Sequence, residues 1–132
     1  MDYKESLKDI EEILIDLRDK NIKIPILVEG DKDIEALKKL NVTGIILSLN
    51  KGMSLTNFCD IIAKKYDKII ILTDWDKKGG QLCHKLKNNL ISRVDCDINY
   101  RKKIAQKTNI KIVEGLPSWI YTMKKKINDQ VL

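Results

Sequence analysis

Ile26-Leu27-Val28-Glu29-Gly30-Asp31-Lys32-Asp33 and Ile69-Ile70-Ile71-Leu72-Thr73-Asp74-Trp75-Asp76-Lys77-Lys78-Gly79-Gly80 share one plan, a short apolar run that stops at acids. Continuous apolar runs of this length read as strands buried on both faces, which occur mostly in parallel sheets covered by helices. Ligands of such sheets bind outside the carboxyl ends of the strands. Neighbouring strands lie about 5 Å apart, so adjacent positions in the sheet would let Glu29 face Asp74 and Asp76 across one hole. On an extended chain Asp74 and Asp76 share a side and Trp75 points to the other. Three carboxylates that close repel unless a cation joins them, and oxygen donors suit Mg²⁺ or Mn²⁺. Glu29, Asp74 and Asp76 are therefore the candidate metal ligands.

Outward from these runs the chain alternates strands and helices. Leu7, Ile10, Ile13, Leu14 and Leu17 predict an amphipathic helix over about residues 4–19. Ile34, Leu37 and Leu40 predict a second helix, capped by Asp31 or Asp33. Gly44 to Leu49 reads as a buried strand, and Ser54 starts a helix lined by Leu55, Phe58, Ile61, Ile62 and Tyr66. A leucine stripe predicts a helix over about residues 80–91, and Asp97 caps another over about 98–108. Residues 92–95 fit either a turn or a short extended piece. Ile110-Lys111-Ile112-Val113 predicts the fourth strand, and Pro117-Ser118 opens a last helix over about 118–130. Such alternation implies a parallel α/β sheet with right-handed crossovers.

With 132 residues the chain has room for one three-layer core, so a single domain is expected. Charged residues at 33% and apolar ones at 43% exclude a disordered chain, and no apolar stretch approaches the roughly 20 residues that span a bilayer. The acidic start, Met1-Asp2-Tyr3-Lys4-Glu5-Ser6, lacks the apolar core of a signal peptide, so a cytoplasmic address is expected. Cys59, Cys83 and Cys96 form no close pair and read as core thiols; His84, beside a leucine stripe, reads as a helix-surface residue. The net charge of +6 is uneven: residues 1–76 hold 12 basic and 15 acidic side chains, residues 77–132 hold 13 and 4. A cationic half beside clustered carboxylates points to a polyanion, most commonly nucleic acid. Only Arg18, Arg93 and Arg101 are arginine, which favours backbone contacts over base reading.

A strand ending in Glu-Gly-x-x-Asp, followed after one intervening strand by another ending in Asp-x-Asp-x-x-Gly, resembles the Toprim domain. That domain is shared by topoisomerases of types IA and II, bacterial-type primases, OLD-family nucleases and recombination-mediator proteins. The resemblance covers about residues 24–116 and makes the first and last helices additions, as in a small stand-alone Toprim protein of the archaeal kind. It implies a three-layer Rossmann-like fold around a four-stranded parallel sheet. By the same resemblance Glu29 acts as general acid or base, or as a metal ligand in nucleases, and Asp74 and Asp76 hold Mg²⁺. Gly30 and Gly79 let the backbone turn and approach the ligand, Gly80 completes the second motif, and Lys32 and Lys78 contact phosphate. Lys78 stands where topoisomerases often carry a further acid, so a second metal would need Asp33 or Glu114. A chain of this length has no tyrosine-bearing cleavage domain and no primase zinc domain, which argues against topoisomerase activity on its own.

Two other phosphate-handling patterns fit less well. A haloacid-dehalogenase-type phosphatase carries its Asp-x-Asp on the first strand, and a response-regulator receiver pairs its acids after the first strand. The acids also have a plainer role available, because Asp31, Asp33 and Asp76 suit helix caps. Three functions stay open: a Mg²⁺-dependent protein acting on nucleic-acid phosphodiesters, as a nuclease, a phosphotransfer enzyme or the catalytic piece of a processing complex; a non-catalytic module that binds RNA or DNA and docks on a ribonucleoprotein or repair assembly; or a phosphatase acting on a small molecule.

Overall fold

Asp2 accepts the Glu5 N–H through its side chain and starts α1 (Tyr3–Asn21), whose Leu7, Ile10, Leu14 and Leu17 are all buried. A computed structural model describes residues 2–49 and 52–131. After α1 come β1 (Ile26–Val28), α2 (Asp31–Lys39), β2 (Ile46–Ser48) and α3 (Leu55–Lys65), the last begun by Ser54, whose hydroxyl accepts the Asn57 N–H at 3.1 Å. Then follow β3 (Lys68–Ile71), α4 (Lys77–Leu90), β4 (Asp95–Asp97) and α5 (Asn99–Lys107). A 3₁₀ turn over Val113–Gly115 leads into α6 (Leu116–Val131).

The four strands form one parallel sheet in the order β2-β1-β3-β4, with Ile26 beside Ile46 on one side and Ile70 on the other. Side chains alternate across it. Ile26, Val28, Ile70 and Leu72 enter a core closed by α1, α2, α5 and α6, whereas Leu27, Ile69 and Ile71 enter one closed by α3 and α4. Both faces of β1 and β3 are covered, which is why these runs are apolar without interruption. The result is the three-layer α/β architecture expected, with helices on both sides of a four-stranded sheet. Among the described residues no helix is long and apolar enough to cross a membrane.

One expected strand is elsewhere. The fourth strand is Asp95-Cys96-Asp97, paired with β3, and residues 110–112 run outside the sheet. The alternation of Ile110-Lys111-Ile112-Val113 does not record a strand: Ile110 is half-buried, Lys111 and Ile112 are exposed and Val113 is fully buried along an irregular path. Helix starts also move. α4 begins three residues before the expected position because Asp76, not the glycine pair, caps it. The N-cap of α5 is Ile98 and not the expected Asp97, which ends β4, although Asp97 Oδ1 accepts the Asn99 N–H at 2.8 Å just ahead of the helix.

Candidate functional site

β1 and β3 are neighbours, so Glu29 and Asp74 leave the sheet side by side. The Asp74 N–H donates to Glu29 Oε2 at 2.8 Å, which ties the two strand ends together. Beyond Glu29 the chain is open. Gly30 has an extended backbone that any residue adopts (φ −152°, ψ 176°), and no atom lies within 4 Å of where a Cβ would stand. Its N–H donates to Asp33 Oδ2 at 3.1 Å, so Asp33 closes the first turn of α2 from within. The Ser48 hydroxyl donates to Asp31 Oδ1 at 3.1 Å, and Lys32 is exposed.

The end of β3 is held at every residue. Buried Thr73 donates its hydroxyl to the Gly79 carbonyl at 2.9 Å. The Val113 N–H donates to Asp74 Oδ1 at 2.9 Å, the Trp75 N–H to the Lys111 carbonyl at 2.9 Å, and the indole N–H to the Ile110 carbonyl. The Gly79 N–H donates to Asp76 Oδ1 at 2.7 Å. A Cβ on Gly79 would stand 1.9 Å from the Asp74 carbonyl oxygen, so only glycine fits there. The chain bends at Trp75 and Asp76 instead of continuing extended, and this corrects the expectation that Trp75 points away from Asp74. The Asp74 carboxylate and the Trp75 indole both engage residues 110–113, the segment misread as a strand.

Sequence reasoning missed Arg101 as a site residue and placed it only on a helix. From the first turn of α5 its Nε donates to the carbonyls of Thr73 (3.2 Å) and Asp74 (3.1 Å), and its Nη2 to that of Asp74 at 2.7 Å. Gly80 leaves room for it, since a Cβ there would lie 3.4 Å from Nη2. The available signal was compositional, one of three arginines among 25 basic residues.

Burial pushes the Asp74 carboxyl up to about 6; the Val113 N–H works against the rise, and the charges of Glu29 and Asp76 add to it. Burial likewise raises Asp33, helped by the Asp74 charge and, less, by Glu114. Glu29, Asp74 and Asp76 each give one oxygen to a backbone N–H, and the Glu29 and Asp74 side chains also lie within hydrogen-bonding reach of each other, which adds to the rise at Asp74. Three mutually repelling carboxylates are a donor set that fits Mg²⁺ or Mn²⁺. They are not a closed cage: among the described residues no three His, Cys, Asp or Glu side chains stand together as a ready metal site. An ion here would keep much of its water, as Mg²⁺ commonly does.

Lys32, Lys77, Lys78 and Lys111 are exposed on the segments that carry or touch this end of the sheet. Some other cations of the basic half have intramolecular partners. Lys107 pairs with Asp9 at 3.1 Å, Arg93 with Asp60 at 2.7 Å, and the Lys126 ammonium lies 4.7 Å from the centre of the Tyr3 ring. Cys59 and Cys83 are buried free thiols and Cys96 a half-buried one, whereas His84 is exposed with Asn88 beside it at 3.0 Å.

Comparison with known proteins agrees with this geometry. Residues 24–114 match the model of the Toprim domain family. A UPF0292 protein of Thermoplasma volcanium is 41% identical over 102 residues, which is 76% of this chain and 86% of that protein. A UPF0292 protein of Methanosarcina acetivorans is 34% identical over 128 residues, covering 94% of this chain and 88% of its own. Among solved structures a protein from Aquifex aeolicus superposes with a TM-score of 0.68 at 30% identity, over 78% of this chain and 94% of that one.

Proposed function

The chain belongs to the Toprim domain family and to the UPF0292 proteins, and we propose that it acts on nucleic-acid phosphodiesters with Mg²⁺ or Mn²⁺, as a nuclease or as the catalytic piece of a processing complex. Family membership carries the coarser part, a metal-dependent role connected with nucleic acid. The observation that carries the finer part is the meeting of Glu29 and Asp74, with Asp76 two residues on, at the ends of adjacent parallel strands, each acid giving one oxygen to a backbone N–H.

Glu29, Asp74 and Asp76 would hold the ion, which when bound neutralises charge on a phosphate under attack. Glu29 keeps Oε2 on the Asp74 N–H and has Oε1 to hold the ion or to take a proton from the attacking hydroxyl. That hydrogen bond keeps the Glu29 side chain beside Asp74. Asp74 is held from two sides, by Val113 at its carboxylate and by Arg101 at its carbonyl. Exposed Lys32, Lys77, Lys78 and Lys111 draw the polyanion to this end and touch phosphates rather than base edges.

A second reading has its own support. Asp33 and Asp76 serve as helix caps, and the acids do not already form a metal cage, as suits a non-catalytic module docked by its lysines. Cleavage of labelled single- and double-stranded DNA and RNA with and without Mn²⁺ separates the two. An enzyme should lose about 10²-fold or more of its turnover in Glu29→Gln while strand affinity holds. A docking module should show no metal-dependent cleavage above a mock purification. Cleavage at wild-type level by Glu29→Gln would remove Glu29 from the centre of the mechanism.

A further inference from the structure

Arg101 differs from the other two arginines in where its guanidinium stands. Arg93 meets a carboxylate, Asp60, at 2.7 Å, and Arg18 spends its Nε on the Leu40 carbonyl at 2.8 Å, whereas Arg101 is bonded to the loop that carries Asp74 and Asp76. The half-buried Arg101 faces no carboxylate within ion-pair distance among the described residues, although three acids line the loop it grips. Its Nε and Nη2 are taken by the Thr73 and Asp74 carbonyls, and Nη1 has no hydrogen-bond partner among the described residues. A partly buried cation with an unused amino group, fixed by three hydrogen bonds one residue from a carboxylate cluster, lacks an anionic partner. An arginine already anchored loses little freedom on gripping a phosphate, and its hydrogen bonds to phosphate oxygens are charge-assisted.

We propose that Arg101 binds a phosphate of the substrate strand through Nη1 while its other edge holds the Asp74 carbonyl. The inference rests on the phosphodiester reading above and assigns to that site its phosphate-gripping side chain. It also gives the residue a reason to be arginine. One lysine ammonium cannot span two carbonyls and a phosphate oxygen in a fixed plane.

Because the chain holds only Arg18, Arg93 and Arg101, arginine side-chain NMR offers two internal references. Protein labelled with ¹⁵N-arginine, its Nε–H signals assigned with Arg18→Lys and Arg93→Lys, is titrated with inorganic phosphate and then with a single-stranded oligonucleotide at constant ionic strength. The Arg101 signal should shift and saturate, and those of Arg18 and Arg93 should stay. Measured without metal, Arg101→Lys should lose about tenfold in oligonucleotide affinity, the worth of one charged hydrogen bond. An Arg101 signal unmoved at saturating phosphate, or moving in parallel with the other two, overturns the proposal. So does wild-type oligonucleotide affinity in Arg101→Lys. A loss of strand affinity that appears only with metal present would make Arg101 a positioning residue only, and would also overturn it. The titration needs no Arg101 variant to fold. A chain that cleaves nothing but still shows the phosphate-dependent shift would sink the catalytic reading and leave this one standing.

Discussion

At the end of β1 a side chain added at Gly30 would meet no atom within 4 Å, whereas at the end of β3 a Cβ on Gly79 would stand 1.9 Å from the Asp74 carbonyl oxygen. The two loops carry the same kind of signature, acids followed by glycine. In the first the glycine occupies a conformation open to any residue, and in the second the fold closes onto its Cα. Glu29 has one contact to its neighbour, while Asp74 is gripped at carboxylate, N–H and carbonyl by Val113, Glu29 and Arg101. A rigid acid beside a lightly held one is an arrangement in which the second can adjust as a ligand arrives.

The most direct way to break this contrast is a pair of substitutions. Gly79→Ala forces backbone against backbone and should cost about 3 kcal/mol or more, whereas Gly30→Ala should cost under about 1 kcal/mol. Urea unfolding of both proteins reads the difference; equal midpoints would mean that the β3 loop relaxes around the extra atom. If the two loops share one ion, Mg²⁺ or Mn²⁺ at a hundredfold excess over its dissociation constant should stabilise the protein by about 2.7 kcal/mol. Asp74→Asn with Asp76→Asn should abolish that gain, and an equal metal shift in wild type and double mutant would place the ion elsewhere.

A smaller effect sharpens the electrostatic side of the comparison. The Asp74 carboxyl titrates at about 6 in the folded chain and near 3.9 when unfolded, so between these values the folded state binds more protons. Metal-free stability should therefore be highest below about pH 4 as far as this group is concerned, and should fall as pH rises to about 6. The loss should be about 1–2 kcal/mol once solvent screening is allowed for, and Asp33, also raised, acts in the same direction. Asp74→Asn keeps an oxygen for the Val113 N–H and should flatten most of that slope in urea titrations from pH 4 to 7. A wild-type slope in the variant would show that burial and the Glu29 charge act on another group. The smallest effect concerns docking. Lys77→Ala with Lys78→Ala should lower the dependence of log affinity on log salt by about 1.5, and Lys32→Ala by about 0.7–0.9, if each touches one phosphate. Identical slopes for both variants and wild type would put the strand on another face.

How far the sequence could be read follows the same division. The β1 and β3 runs were legible because burial on both faces leaves only apolar residues, and their acids were legible because they stop those runs. β4 was not. Asp95-Cys96-Asp97 pairs through its backbone at the sheet edge, where acids are tolerated and guard against edge pairing, so nothing in its composition announces a strand. Residues 110–113 mislead for the opposite reason, since their apolar spacing copies a strand while Ile112 stays exposed and the segment's main chain serves Trp75 and Asp74. Arg101 was hidden because its partners are main-chain carbonyls, which no side-chain motif records. Asp33 and Asp76 were read both as ligands and as caps. Asp76 does cap α4 and Asp33 closes the turn at Gly30, yet Asp76 still has an oxygen to spare.

The bond from the Val113 N–H to Asp74 spans 39 residues and runs forward along the chain. During synthesis β1, β2 and β3 all emerge before it can form, and domains tend to assemble as the chain appears. For that interval the nascent protein has its sheet centre and its acids but not the contacts that set Asp74, Trp75 and Arg101 in place. Affinity for a polyanion could come early, through lysines near the strand ends, whereas a fixed acid geometry must wait for residues 110–113. The order of synthesis thus keeps the site incomplete until that segment has been made.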